Sequence, residues 1–321
     1  MVELVLPRPG DIAASKPPIP GPTEEAFTEQ FGTLLPPVKY LSTSSGKAAY
    51  YELPPTLSMS AGATPDRVLF VHGVQTPALG MLPLASTLKA SFPGSHFVLV
   101  DLWGHGLSDT PVVPHEASLF HQLIDDLLDK LGWPTVHLVG YSFGGALTVG
   151  YVPTRSTRVQ SFTLVAPAGL IKSASFSDED KAFLGRGSDE TEARKWVIKF
   201  LEGSPYPVVP ADWRDRVARG EVVAPAIKDW QMREHAGHVA SVVTIVRDGG
   251  VIDKQGMFVK AVKMGIPSLI VLGEEDDICS KKELGELGFR DVHVVSGTGH
   301  NVVREKVPEV AGFISEFWKK L

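Results

Sequence analysis

Six apolar runs, each followed by a helical pattern, are the feature that most limits what this chain can fold into. The runs are RVLFVHG, HFVLVDL, TVHLVGY, SFTLVAP, PSLIVLG and DVHVVSG. Segments this apolar on both faces, separated by helices, are typical of a parallel sheet that helices cover on both sides. Two earlier segments, VKYL and AAYYEL, flank the turn-forming run STSSGK and predict an antiparallel hairpin. We therefore expect an α/β fold with a mostly parallel, eight-stranded sheet.

Helical periodicity is visible between two of these runs and again at the end of the chain. Apolar residues recur at steps of three and four in two segments: Phe120, Leu123, Ile124, Leu127, Leu128 and Leu131, then Val310, Phe313, Ile314, Phe317, Trp318 and Leu321. The alternation of apolar runs and helical segments is interrupted only between residues 169 and 251, where the sequence becomes mostly helical and polar. We expect a helical cap, or lid, inserted there after the sixth strand. Residues 37–168 and 252–321 would then form the core.

The first 36 residues have a different composition. They are rich in proline and hold few large apolar side chains. Such a segment buries too little apolar surface to offset the entropy that ordering costs. We expect a proline-rich tail that is flexible or wraps around the rest of the protein.

Composition excludes several functions. The chain has 321 residues and a net charge of −6, and its Lys and Arg residues are scattered, so no basic field exists to bind nucleic acid. No stretch approaches the roughly 18 continuous apolar residues of a membrane span, and the amino terminus does not resemble a secretory signal. A single cysteine, Cys279, cannot form an internal disulfide. These features predict a soluble, cytoplasmic protein.

The strongest chemical motif is G-x-S-x-G around Ser142. The segment HLVGYSFGGAL places it directly between an apolar strand and the start of a helix rich in small residues. A serine on such a sharp turn has a strained backbone, and its neighbours must lack bulk, which Gly140, Gly144 and Gly145 provide. This context predicts that Ser142 is a catalytic nucleophile.

A serine hydroxyl needs a general base within hydrogen-bond reach and a third group that orients the base. After a nucleophile on a strand-to-helix turn, the acid and then the histidine follow along the chain. His300 lies in SGTGHNVV, just beyond the last apolar run, and is our candidate base. His293 lies within that run and fits a structural role better.

The acid is harder to place, because VLGEEDDICS offers four adjacent carboxylates. Some members of such folds place the acid after the sixth strand, but that position reads VAPAGL here and holds no carboxylate. The third residue after Gly273 is Asp276, which we take as the acid, and Asp277 remains an alternative. The oxyanion of the reaction needs two backbone N–H donors, one after the nucleophile and one in the loop after the third strand. These would be Phe143 and Val74, with His72 and Gly73 shaping the loop.

In chain order, the motifs HG, DLWGHGLSD, GYSFGG, GEEDD and GTGH resemble the signature set of the α/β-hydrolase superfamily from about Val38 to Leu321. The resemblance implies a capped serine hydrolase with the triad Ser142, Asp276 and His300. Its dehalogenases and epoxide hydrolases carry Asp at the nucleophile position, which Ser142 argues against. LVAPAGL is also similar to the segment that enters the cap in meta-cleavage-product hydrolases, which cut carbon–carbon bonds. Those enzymes usually have Trp after the catalytic His, and here Asn301 follows His300.

We therefore expect an enzyme that hydrolyses a carboxylic ester or lactone of a hydrophobic small molecule through an acyl-enzyme. Carbon–carbon bond hydrolysis by the same triad is one alternative, and a ligand-sensing receptor with slow turnover is another. Candidate substrate-binding residues are Gln75 in the loop after strand 3 and Trp196, Trp213 and Trp230 in the cap. No cofactor or metal is implied, because the histidines lack the paired spacing of a metal site. A homodimer is left open.

Overall fold

The computed structural model describes residues 4–12, 16–58, 65–187, 189–204 and 207–321. Within them, eight strands form one sheet: β1 (Lys39–Thr43), β2 (Gly46–Leu53), β3 (Arg67–Val71), β4 (His96–Val100), β5 (Val136–Tyr141), β6 (Val159–Val165), β7 (Ser268–Gly273) and β8 (Val292–Val295). Their spatial order is β1-β2-β4-β3-β5-β6-β7-β8. β2 runs antiparallel to both β1 and β4, and all later neighbours are parallel. The predicted mostly parallel, eight-stranded sheet is confirmed.

The helices of the described residues are α1 (Glu24–Phe31), α2 (Leu82–Ser91), α3 (Ala117–Leu131), α4 (Phe143–Tyr151), α5 (Asp178–Leu184), α6 (Glu190–Glu202), α7 (Trp213–Ala218), α8 (Ala224–Glu234), α9 (His238–Asp248), α10 (Gln255–Lys263), α11 (Lys281–Glu286), α12 (Val302–Glu305) and α13 (Val307–Trp318). Both helices expected from apolar periodicity are present, as α3 and α13. Helices α5 to α9 lie between β6 and β7, in the segment for which we expected a cap. We retain the division into core and cap as a proposal.

Two apolar cores lie on the two faces of the sheet, as its strands require. Side chains alternate along β3: Leu69 and Val71 belong to one core, and Val68 and Phe70 to the other. Helices α3, α4 and α9 contribute to the first core, and α2 and α13 to the second. Every residue of β5 is buried, so the strand that leads to Ser142 is held from both sides.

The amino-terminal segment packs against the helices that follow β6. Phe27 and Phe31 of α1 are buried, and their ring centroids lie 5.6 and 5.8 Å from that of Trp230. Farther upstream, the Arg8 guanidinium donates to both carboxylate oxygens of Asp248 at 2.7 and 3.0 Å. The described part of the tail therefore wraps around the protein. The expectation that this segment buries too little apolar surface is wrong for α1, because its two phenylalanines fill a site lined by tryptophans.

Candidate active site

Ser142 lies between the end of β5 and the start of α4. Its backbone has φ 53° and ψ −115°, a conformation that non-glycine residues rarely adopt. A hydrogen bond from its N–H to the Val165 carbonyl and one from Ala168 N–H to its own carbonyl hold this backbone in place. The turn therefore lifts the Ser142 side chain out of the sheet at the carboxyl end of β5.

The glycines around Ser142 are required by close approaches. A Cβ atom at Gly144 would lie 2.0 Å from the Val71 carbonyl oxygen, and one at Gly140 would lie 2.4 Å from the Gly144 carbonyl oxygen. A Cβ at Gly73 would lie 2.8 Å from the Ser142 Cβ. Larger residues would push apart β3, β5 and α4, so the motif reflects packing as well as backbone strain.

The structure brings together the three residues of the predicted triad. The Ser142 hydroxyl donates to His300 Nε2 at 2.9 Å, and His300 Nδ1 donates to Asp276 Oδ2 at 3.0 Å. The Asp276 side chain is fully buried, and its other oxygen accepts a hydrogen bond from Ile278 N–H at 3.0 Å. This chain of hydrogen bonds fixes the tautomer in which His300 Nε2 can take a proton from Ser142.

The other carboxylates of the GEEDD segment have different positions. Glu274, Glu275 and Asp277 are exposed. Asp277 lines the mouth of the cavity described below, but it is Asp276 that contacts His300. The sequence left Asp276 and Asp277 as alternatives. In the structure, the turn after β7 brings the side chain of Asp276 to His300.

The backbone N–H groups of Val74 and Phe143, both near Ser142, have no hydrogen-bond partner among the described residues. Phe143 is the first residue of α4, whose initial N–H groups cannot bond within the helix and carry its partial positive charge. Val74 follows the β3 turn formed by His72 and Gly73. Both residues line the cavity beside Ser142, in positions suited to donate to an oxyanion.

The cavity beside Ser142 has a volume of about 310 Å³ and a mixed lining. Ile171, Phe200, Leu201 and Val246 form part of its apolar wall. Its charged side chains belong to Glu202, Lys228, Asp277 and Arg304. The sequence did not single out Glu202, Lys228 or Arg304. For Arg304, its position four residues after His300 could have indicated that it lies near the site.

The three candidate tryptophans require a correction. Within the described residues, none of Trp196, Trp213 and Trp230 lines this cavity. Trp213 and Trp230 face the aromatic rings of α1. Trp196 stacks on Phe200, with ring centroids 5.2 Å apart, and so supports the wall from behind. Trp230 is buried, and Trp196 and Trp213 are half-buried against neighbouring aromatic rings, so these indoles pack against other segments instead of facing the cavity.

Gln75 does line the cavity, and it is held from two sides. Its φ of 73° places it in the left-handed region, which is strained for a glutamine. The Gln231 side chain donates to its carbonyl oxygen at 2.7 Å, and its own N–H donates to His105 Nε2 at 3.3 Å. Its side-chain amide lies 3.0 Å from His238 Nε2. No sequence motif indicated Gln231 or His238, because both come from helices after β6.

The histidines around this loop are buried and neutral. Burial lowers the pKa of His72 to about 4 and that of His238 to about 3. Burial also lowers the pKa of His105, whose ring centroid lies 5.2 Å from that of His72 and 4.8 Å from that of His238. Each ring donates through Nδ1 to a backbone carbonyl. These neutral imidazole rings therefore support the loop that carries Val74 and Gln75 through packing and hydrogen bonds.

No helix of the described residues is both long enough and apolar enough to cross a membrane. No group of three or more His, Cys, Asp and Glu side chains in the same residues is arranged so that it could hold a metal ion.

Several known proteins resemble this chain in sequence or in structure. The sequence model of the alpha/beta hydrolase family matches residues 68–312. Monoacylglycerol lipase abhd6-A of Xenopus laevis is 24% identical over 265 residues, which cover 79% of this chain and 75% of the lipase. The enol-lactonase of Burkholderia xenovorans has a similar structure, with a TM-score of 0.62, 15% identity and coverage of 88% of this chain and 100% of the lactonase. The meta-cleavage product hydrolase of Pseudomonas fluorescens gives a TM-score of 0.61 at 19% identity, covering 88% and 97% of the two chains. At these identities, the two structural matches show a shared fold.

Proposed function

Since this chain belongs to the alpha/beta hydrolase family, we propose that it hydrolyses a carboxylic ester or lactone of a small molecule through an acyl-enzyme on Ser142. The observation that carries the proposal is the pair of hydrogen bonds from Ser142 to His300 and from His300 to Asp276, at 2.9 and 3.0 Å. Both distances fall in the range that general-base activation of a hydroxyl requires.

The first half of the reaction forms the acyl-enzyme. His300 Nε2 takes the hydroxyl proton as Ser142 Oγ bonds to the carbonyl carbon, and the carbonyl oxygen becomes an oxyanion. The N–H groups of Val74 and Phe143 donate to this oxyanion. The imidazolium of His300, stabilised by the buried Asp276, then protonates the leaving alkoxide, and the bond between the carbonyl carbon and the alcohol oxygen breaks.

The second half releases the acid. A water molecule loses a proton to His300 as its oxygen attacks the acyl carbon. The tetrahedral intermediate uses the same two N–H donors, and His300 returns the proton to Ser142 Oγ as the acid leaves. For a lactone, the alcohol freed in the first half stays attached to the acyl group, and the product is a hydroxy acid.

Position 301 favours ester or lactone chemistry over carbon–carbon cleavage. Asn301 lines the cavity, and its amide oxygen accepts a hydrogen bond from Arg304. This position is therefore polar and engaged with a charged side chain. It offers no indole of the kind expected after the catalytic histidine in the carbon–carbon hydrolases.

A phosphonate probe tests the proposal directly. A fluorophosphonate is expected to label Ser142 covalently, and Ser142→Ala is expected to abolish labelling and to lower kcat on 4-nitrophenyl esters by a factor on the order of 10⁶. Ser175→Ala is the matched control, because Ser175 is exposed and donates only to the Lys172 carbonyl. Turnover that survives in Ser142→Ala, or labelling at another serine, would contradict the assignment.

A further inference from the structure

Arg304 is one of four charged groups that line the cavity without belonging to the proposed triad. It lies on α12, which begins two residues after His300, and its side chain is partly buried in the cavity wall. Its Nη1 atom is buried and has no hydrogen-bond partner among the described residues. A buried guanidinium nitrogen without a partner costs free energy, and an anion beside the guanidinium offsets part of that cost through its charge.

The guanidinium of Arg304 is nevertheless held in a defined orientation. Its Nη2 donates to the Asn301 amide oxygen and, at 3.4 Å, to the Tyr141 hydroxyl. Its central carbon lies 5.2 Å from the centre of the Tyr141 ring, a cation–π arrangement. Arg304 and Ser142 line the same cavity. These contacts hold Nη2 and one face of the group, and none of them supplies a carboxylate to balance its positive charge.

The other charges in the cavity do not neutralise Arg304. Lys228 Nζ lies 2.8 and 2.9 Å from the two carboxylate oxygens of Glu202, so these two residues neutralise each other. Asp277 is exposed, where water and salt screen its charge. Burial lowers the pKa of Lys228, the ion pair with Glu202 raises it, and the charge on Arg304 lowers it. The net charge left inside the cavity is therefore positive.

We infer that the natural substrate carries an anionic group, a carboxylate in the simplest case, that binds Arg304 while its ester or lactone bond reacts at Ser142. The inference rests on the proposed function and narrows its substrate class. It also modifies the hydrophobic substrate expected from the sequence. The apolar wall formed by Ile171, Phe200 and Val246 receives the hydrocarbon part, and Arg304 receives the charge. The position after His300 holds Asn301 because its amide orients this guanidinium.

Esters matched in length but not in charge test the inference. One series consists of the 4-nitrophenyl monoesters of glutaric, adipic, pimelic and suberic acid, which have a free terminal carboxylate. The other consists of the neutral pentanoate to octanoate esters. The wild-type enzyme is expected to have a higher kcat/KM for the charged ester at one or more chain lengths. Arg304→Gln is expected to lower the ratio of charged to neutral kcat/KM by about 10- to 100-fold at those lengths, the usual effect of a charge-assisted hydrogen bond.

Two further variants separate binding from structural support. Arg304→Lys, which keeps the charge, is expected to retain part of the selectivity. Arg290→Gln removes one positive charge from an exposed position outside the cavity lining and should leave the ratio within about two-fold, as surface substitutions usually do. If Arg304→Gln lowers both kcat/KM values by the same factor, or changes neither, the inference is wrong.

A binding measurement distinguishes failure of this inference from failure of the proposed function. Calorimetry with Ser142→Ala compares monomethyl adipate, which is anionic, with dimethyl adipate, which is neutral. The anion is expected to bind more tightly to Ser142→Ala, and the preference should disappear in the Ser142→Ala/Arg304→Gln double variant. If Ser142 proves not to be the nucleophile, this preference still reports on Arg304. Equal binding of the two esters would overturn the inference even if ester hydrolysis at Ser142 is established.

Discussion

The side chain of Gln231 donates a hydrogen bond to the backbone carbonyl of Gln75 at 2.7 Å, and it thereby joins α8 to the loop that carries Val74. Its amide oxygen accepts a second hydrogen bond, from Gly106 N–H, also at 2.7 Å. Gln231 is fully buried, and Gln75 has a strained φ of 73°. A single side chain after β6 therefore stabilises an unfavourable backbone conformation next to the proposed oxyanion site.

Replacing Gln231 with Leu is expected to lower both stability and kcat. The substitution leaves the Gln75 carbonyl and the Gly106 N–H buried without partners, at a cost of about 1 to 3 kcal/mol for each group. The loop that aims Val74 should relax, and kcat on 4-nitrophenyl esters should fall by about 10-fold or more, since a lost oxyanion donor costs up to about 10³. Urea unfolding and steady-state kinetics measure the two effects. Gln122→Leu is the control, because Gln122 is exposed and bonds only to Asp126 on its own helix; a loss of kcat as large in this control would contradict the interpretation.

Substitutions of the two adjacent aspartates should have very different effects. Asp276→Asn removes the acceptor that fixes the His300 tautomer, and it is expected to lower kcat by a factor on the order of 10⁴. Asp277→Asn, at an exposed position, should change kcat by only a few-fold. Steady-state kinetics on the same ester, with melting temperatures as a check on folding, decide the matter. A larger loss in Asp277→Asn would reassign the acid.

Stability should fall as the pH is lowered from 7 to about 4.5. In the folded protein, burial lowers the pKa values of His72, His115 and His137 to about 4 and that of His238 to about 3. In the unfolded chain, these groups bind protons near their ordinary value of 6.5. Because the unfolded state then holds more protons, the free energy of unfolding decreases with acid, by about 1 to 3 kcal/mol for each histidine.

One buried carboxyl group opposes this trend. Burial raises the pKa of Asp101 to about 6, so its contribution stabilises the folded state at low pH and is lost as the pH rises through 6. A single carboxyl group cannot offset four histidines, so the free energy of unfolding should still increase with pH over this range. Urea titrations at several pH values measure this dependence. A free energy of unfolding that stays constant or rises on acidification would show that these histidines are not held neutral.

The amino-terminal segment should contribute measurably to stability. Phe31→Ala removes a side chain that is 1% exposed and packs against Trp213 and Trp230. Loss of a buried phenylalanine typically costs about 3 to 5 kcal/mol. Ile12→Ala, in the same segment but fully exposed, should change the free energy of unfolding by less than about 0.5 kcal/mol. Equal effects of the two substitutions in urea unfolding would indicate that α1 is not docked in solution.

The fold and the placement of Ser142 on a sharp strand-to-helix turn could be predicted from the sequence because their signals are local. Apolar strands such as TVHLVGY report burial on both faces, and the glycines around Ser142 report a turn that tolerates no Cβ atoms. His300 follows the last strand at a short distance. In each case, neighbouring residues along the chain determine the geometry, so the pattern alone carries the information.

Tertiary structure decided the rest, because the deciding contacts join residues far apart in the chain. Gln231 and Gln75 are separated by 156 positions, and nothing in either segment predicts their hydrogen bond. Trp213 and Trp230 looked suited to a pocket, but a helix can pack an indole either against a cavity or against another segment. Here both indoles pack against α1. Asp276 and Asp277 are chemically identical in sequence, and only the path of the turn after β7 determines which one meets His300. The charge of Arg304 was visible in the sequence, but whether a carboxylate pairs with it depends on how the cavity wall packs.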